Sequence, residues 1–252
     1  MLISNPIFTR SKPGTTWTPV RGPRARALHH LGLMFADMVA VSALSTIGGP
    51  QDFSPFPWRV ANNFFQAVFV YFCLDLLMHR AAALTALLGF ETQPHMHNPL
   101  LRSTSLRDFW GRRWNMIIHG LLRRAVFQPL RGVTAAERKP VALHRELGAA
   151  FATFAASGLL HEYLWLGTIG PSAPLGGATA FFLLQGAFCT GQALAERFAP
   201  ELVRGCQRMP RALKLAGTYA LLFPSLHWFQ SNSAAFGLFA GVERFLPHFE
   251  WR

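Results

Sequence analysis

Apolar runs of membrane-spanning length, separated by arginine-rich blocks, set the pattern of this chain. Five stretches stand out: Leu28 to Ile47, Val60 to about Gly89, Leu147 to Ile169, Gly177 to Ala195 and Leu213 to Gln230. A hydrocarbon core about 30 Å thick is crossed by about 20 apolar residues in helical conformation, so each stretch is predicted to be a membrane-crossing helix. A sixth, Ala234 to Leu246, is too short to span upright and is predicted to be interfacial or re-entrant. The expected fold is all-α, a polytopic helical membrane bundle, with a basic tail over residues 1–27 and a single membrane-embedded domain over residues 28–252.

Basic residues give an independent test of that order. One block lies in the N-terminal tail, a second runs from Arg102 to Arg145, and a third holds Arg197, Arg204, Arg208, Arg211 and Lys214. Two crossings separate the first block from the second, and two more separate the second from the third. All three are therefore predicted on one side, the cytosolic one under the positive-inside rule. The nearly uncharged connections Gly48 to Arg59 and Gly170 to Gly176 fall on the other.

Composition agrees, at 51% hydrophobic and 14% charged residues, with 23 Phe and 7 Trp suited to lipid contact and interface anchoring. A net charge of +12 would suggest nucleic acid in a soluble protein, but here the basic residues flank apolar segments. Membrane lipids and an anionic substrate are the expected partners, with no nucleic acid. Cys73, Cys189 and Cys206 lack any CxxC spacing and cannot build a disulfide framework. The acid-free, Arg-rich tail resembles a transit peptide in composition, but a cytosolic tail before a retained first span is the expected reading.

Pro99 to Gly132 differs from the spans because arginines alternate with Leu106, Phe109, Trp110, Trp114, Ile117, Ile118, Leu121 and Leu122. At helical spacing Trp114, Ile117, Ile118 and Leu121 share a face, and Arg112, Arg113, Arg123 and Arg124 can reach headgroups. The expected element is an amphipathic helix on or dipping into the cytosolic surface.

The strongest chemical signal is Ser157-Gly158-Leu159-Leu160-His161-Glu162, which sets a histidine and a glutamate inside an apolar run. Ionisable groups at membrane depth are expensive and read as functional by default. His161 can serve as a general base, with Ser157 one turn before it, or can simply hydrogen-bond between helices. Glu162 points about a quarter-turn away and either assists catalysis or pairs with an arginine of another element. Asn115, close to Arg112 and Arg113, can orient a hydroxyl or hold an oxyanion, while the two guanidiniums offer forked donors for phosphate. Asp75 with His79 one turn on fits a proton path or an interhelical contact, His95 and His97 lack nearby companions for a metal, and His227 lines a chamber or sits at the interface.

Ser103-Thr104-Ser105-Leu106-Arg107-Asp108-Phe109-Trp110-Gly111-Arg112-Arg113-Trp114-Asn115, then Arg123 to Arg131, then Ser157 to Glu162, resemble in order and spacing the wax synthase branch of the membrane-bound O-acyltransferase superfamily. The likeness is close from about Asn98 to Gly191. It implies a helical bundle around a chamber open to CoA from the cytosol and to lipid from the side. The implied reaction moves a fatty acyl group from acyl-CoA to a long-chain alcohol, with the family's histidine falling on His161 and its polar partner on Asn115. Gln185-Gly186 stands where the family is expected to show His-Gly, and only two spans precede the motif.

The expected chemistry is attack of an alcohol hydroxyl on the thioester, with His161 taking the proton and Asn115 orienting the partners. Arg112 and Arg113 would hold CoA phosphates, and Trp110, Trp114, Ser157, Glu162 and Gln185 are candidate substrate contacts. No metal or organic cofactor is required, since acyl-CoA is already activated. Diacylglycerol, a sterol or a small alcohol are alternative acceptors, a proton-coupled transporter or a non-catalytic membrane protein is the rival class, and the endoplasmic reticulum membrane is the location implied by analogy.

Overall fold

The computed structural model describes residues 22–47, 58–90, 92, 94–132 and 141–235, and the regular elements among them are all helical. In chain order they are α1 (Pro23–Ile47), α2 (Trp58–Leu87), α3 (Pro99–Arg102), α4 (Leu106–Arg112), α5 (Met116–Leu122), a π-helical turn Arg123–Phe127 that continues into α6 (Gln128–Arg131), α7 (Leu143–Ile169), α8 (Gly177–Phe198), α9 (Pro200–Arg208), α10 (Arg211–Leu222), a 3-10 turn Phe223–Ser225 and α11 (Leu226–Ala235). The basic tail up to residue 21, Arg138 and Lys139, and most of the sixth apolar stretch lie outside the described residues.

Among the described residues, three helices are long and apolar enough to cross a membrane: Pro23–Ser45 within α1, the whole of α2, and α8. Helix α7 has the length, at 27 residues, and carries His161 and Glu162 within its apolar stretch. Large apolar side chains cover the outer faces, with Leu28, Leu84, Leu159 and Tyr163 each more than 60% exposed. That pattern fits solvation by lipid and would be a liability in water.

Two helix pairs form the scaffold. In the α1–α2 pair, Val41 and Phe69 are fully buried and the small residues Ala82, Ala83 and Ala86 are buried along α2. Helices α7 and α8 follow each other through the short Gly170–Gly176 connection and approach closely at two glycines. A Cβ on Gly158 would lie 2.7 Å from Thr179 Cα, and one on Gly186 would lie 3.0 Å from Phe154 Cβ. Lipid tails are as apolar as leucine, so such close backbone contact is the main attraction left to two helices in a bilayer. A core of Leu106, Phe109, Phe181, Phe182, Cys189, Leu222, Phe223 and Leu226 joins α4, α8, α10 and α11.

Three expectations are corrected. Leu213 to Gln230 is not one helix: Pro224 lacks the N–H that would continue the ladder, and the chain tightens into the 3-10 turn. The Phe223 carbonyl there accepts from Asn63 Nδ2 at 2.7 Å, and Gln230 Nε2 donates to the Asn63 carbonyl at 3.4 Å, so α2 covers the break. Pro99–Gly132 is not one amphipathic helix either. Asn98, Ser105 and Asn115 each cap a new short helix, accepting from Leu101 N, Asp108 N and Ile118 N respectively. Leu106 and Phe109 from this stretch are buried in the core rather than laid on a surface. The first helix, finally, begins at Pro23, five residues before the apolar run.

Candidate active site

A cavity of about 1040 Å³ opens between α4, α5, α7, α8 and α11. Of the residues singled out from the sequence, His161, Ser157, Asn115, Trp110, Trp114 and Arg112 line it, while Glu162, Gln185 and Arg113 do not.

The backbone of α7 fixes the state of His161. Its Nδ1 lies 2.7 Å from the Ser157 carbonyl, which can only accept, so Nδ1 carries the proton and the neutral ring keeps Nε2 as an acceptor. The ring stacks on Phe182 of α8, with centroids 4.8 Å apart, and meets Phe229 of α11 edge-on at 5.0 Å. These aromatic walls hold the imidazole in one orientation. Neither was legible as a site residue, because both belong to ordinary aromatic-rich helices.

Asn115 sits at a left-handed turn, φ 42°, between α4 and α5. Its Oδ1 accepts from Ile118 N at 3.3 Å as the cap of α5, which leaves the Nδ2 hydrogens as the group it can turn to a ligand. The loop 95–97 clasps this turn from outside. The Met116 N–H donates to the His95 carbonyl at 2.8 Å, the His97 N–H to the Arg113 carbonyl at 2.9 Å, and the Asn115 N–H points at Met96 Sδ at 3.2 Å. His119, one turn beyond Asn115, lines the cavity as well. Burial, and after it the Arg123 guanidinium, push its pKa below the ordinary histidine value. The i,i+4 spacing from Asn115 was the available signal for it.

Glu162, Gln185 and Arg113 make scaffold contacts instead. Glu162 Oε1 accepts from Thr179 N at 2.9 Å, so its partner is the first turn of α8 rather than an arginine. A carboxylate there satisfies one of the orphan N–H groups and faces the positive end of the helix dipole. Gln185 is fully buried, accepting from Trp110 Nε1 at 3.4 Å and donating to Ser225 Oγ at 3.3 Å. It ties α4, α8 and the 3-10 turn together. Arg113 donates through Nε to Asp108 Oδ2 at 2.6 Å and through Nη1 to the His97 carbonyl at 3.2 Å. Burial pushes the Asp108 pKa up, but the Arg113 guanidinium and the Thr104 N–H outweigh it and hold the carboxyl below its usual value. Arg112 is exposed at the rim, where Arg107 also pairs with Glu196. His227 is half-buried, with Nδ1 2.8 Å from the Pro224 carbonyl, and is off the cavity wall.

The helices and their lipid-like surface define an integral membrane protein, built around an apolar chamber with an imidazole on its wall. Residues 92–184 match the membrane bound O-acyl transferase family. The stretch is similar to the family's wax synthase branch. A 133-residue segment is 39% identical to "Probable long-chain-alcohol O-fatty-acyltransferase 7" of Arabidopsis thaliana, covering 52% of this chain and 38% of that protein. Over 165 residues the chain is 32% identical to acyl-CoA–sterol O-acyltransferase 1 of Arabidopsis thaliana, 64% of this chain and 45% of the other. Over 146 residues it is 35% identical to the long-chain-alcohol O-fatty-acyltransferase of Simmondsia chinensis, 57% and 38% respectively. The chain thus spans less than half the length of these curated relatives.

Proposed function

We propose that this chain transfers a fatty acyl group from acyl-CoA to the hydroxyl of a long-chain alcohol, with His161 as general base. The carrying observation is the Nδ1–H bond to the Ser157 carbonyl, which fixes the tautomer whose Nε2 can accept a proton, on a ring that lines an apolar cavity. As the hydroxyl oxygen attacks the thioester carbon, its proton passes to Nε2. The tetrahedral oxyanion is met by Asn115 Nδ2, and collapse expels CoA thiolate, which takes the proton back from the imidazolium. Arg112 at the rim holds CoA phosphate, and the basic blocks face the cytosol from an endoplasmic reticulum membrane. The thioester supplies the driving force without a redox or organic cofactor.

The acceptor is the finer part of the reading. A chamber of about 1040 Å³ lies just above the about 300–1,000 Å³ usual for ligand pockets, and admits a flexible chain or a ring system. The test supplies purified protein in lipid with acyl-CoA and a panel of fatty alcohol, sterol and diacylglycerol, and follows free thiol and ester. General-base catalysis contributes about 10²–10⁴-fold, so His161→Ala should lose turnover by that factor. Equal thiol release by wild type and His161→Ala would remove the mechanism, and an ester formed only with sterol would move the acceptor.

A further inference from the structure

We propose that Asp37, Asp75 and His79, supported by His95, form a binding site for one divalent transition-metal ion of the zinc type between α1, α2 and the loop 95–97. One donor atom from each of Asp37, Asp75 and His79 lies within 4.8 Å of the others, close enough to converge on a single ion. Asp37 and Asp75 come from different helices, and His79 Nδ1 is 2.6 Å from Asp37 Oδ2. His95 approaches from the loop, with Nε2 3.1 Å from Asp75 Oδ1.

Charge is the first reason. Two carboxylates meeting in an apolar helix pair repel each other, and one divalent ion placed between them would cancel both charges. Donor chemistry is the second. Mixed carboxylate and imidazole ligands suit zinc and its neighbours, whereas magnesium and calcium favour oxygen alone. The third is a second imidazole. His95 is 8% exposed, and its Nε2 lies 3.1 Å from Asp75 Oδ1, so the loop brings another nitrogen donor to the same pair of carboxylates. His30, whose ring centroid is 5.7 Å from that of His79, keeps Nδ1 buried without a hydrogen-bond partner.

The site would be structural. Its ion would tie α1 and α2 to the residues that clasp the Asn115 turn through the His95 and Arg113 carbonyls. Metal binding does not depend on the acyl-transfer reading, so the two can fail separately.

The experiment uses the full chain in lipid nanodiscs, stripped with a chelator and dialysed against Zn²⁺ alone, with bound metal counted by elemental mass spectrometry. The expected result is one zinc per chain. Affinity should fall by at least tenfold in Asp37→Asn and His79→Gln and by about 10–100-fold in His95→Gln, and it should be unchanged in the exposed His97→Gln. Wild type binding well below one zinc per chain, or His79→Gln binding as tightly as wild type, overturns the proposal. Should the variants not fold, X-ray absorption of the wild-type zinc complex decides. A mixed oxygen and nitrogen shell with one or two imidazoles supports the site, and a shell of imidazoles alone overturns it.

Discussion

Gly158→Ala tests whether the α7–α8 approach positions the site. The added methyl would meet Thr179 Cα at 2.7 Å, and carbon pairs rest at about 3.5–4.0 Å, so the helices must part by about 1 Å. Overpacking of this kind costs about 1–3 kcal/mol. Parting the helices also stretches the Thr179 N–H bond to Glu162, now 2.9 Å, and hydrogen bonds to charged groups are worth about 1.5–3 kcal/mol. Replacing a helical glycine by alanine returns about 1 kcal/mol. The net expectation is a loss of about 1.5–5 kcal/mol in stability, together with a fall in turnover approaching 10²-fold, because His161 lies one turn away and about 1 Å of misplacement is that costly. Unfolding followed by tryptophan fluorescence, beside thiol release, reads both. Gly148→Ala on the same helix is the control: nothing lies within 4 Å of its Cβ, so it should be neutral or up to about 1 kcal/mol more stable. Unchanged stability and turnover in Gly158→Ala, or equal damage in Gly148→Ala, would refute the reasoning.

Other substitutions separate the remaining roles. At Asn115, φ 42° costs an alanine about 1–2 kcal/mol and a glycine nothing, so Asn115→Gly should unfold closer to wild type than Asn115→Ala while losing as much thiol release; full activity in Asn115→Gly would reduce the amide to a turn-former. Asp108→Asn should cost about 1.5–3 kcal/mol at neutral pH by breaking the charged bond from Arg113 Nε. Because the folded Asp108 pKa lies below the unfolded value of about 3.9, this stabilisation is complete above that value and fades as pH falls through the folded pKa, so acid unfolding curves of wild type and Asp108→Asn should converge. Gln185→Leu leaves Trp110 Nε1 without its acceptor and should lower stability by about 1–3 kcal/mol, with a smaller effect on the apparent affinity for acyl-CoA because Gln185 is off the cavity wall; titration of initial rates checks it.

Helix existence was legible wherever apolar length decided it. Leu28–Ile47, Val60–Gly89, Leu147–Ile169 and Gly177–Ala195 all recur as long helices with ends shifted by a few residues, because hydrophobic length is a property of the local chain. What the hydropathy pattern hid were the breaks. Pro224 was a visible stop signal within an apolar run, yet the run's length outweighed it; Asn63, which accepts the cost of the break, lies 160 residues away and could not be paired with it from sequence. In Pro99–Gly132 the cue was present as Ser105 three residues before Asp108, a capping pattern, but the amphipathic spacing of the tryptophans and isoleucines suggested continuity. Long-range partners were beyond reach for the same reason. The Asp75–His95 contact joins two residues noticed separately, and Asp37 with His79 joins one noticed residue to one that was not.

On the proposed mechanism, His161 and Glu162 divide chemistry from scaffold between adjacent residues. Neighbours on a helix point about 100° apart, so one helix can face a partner and a cavity at once. Glu162 turns to the N-terminus of α8, where its charge is matched by the helix dipole and by the Thr179 N–H. That contact fixes the axial register of α7 against α8, and Gly158, one turn earlier, lets the backbones close to contact distance. With register and separation both set, Phe182 of α8 is placed against the face of the His161 ring, and Ser157 supplies the carbonyl that selects its tautomer. A substitution at Glu162 should therefore impair catalysis only by way of the helix pair. Glu162→Gln keeps an oxygen acceptor for Thr179 N and should retain most turnover, whereas Glu162→Ala removes it and should resemble Gly158→Ala in both stability and rate. Equal loss in Glu162→Gln and Glu162→Ala would instead assign the charge itself to the reaction.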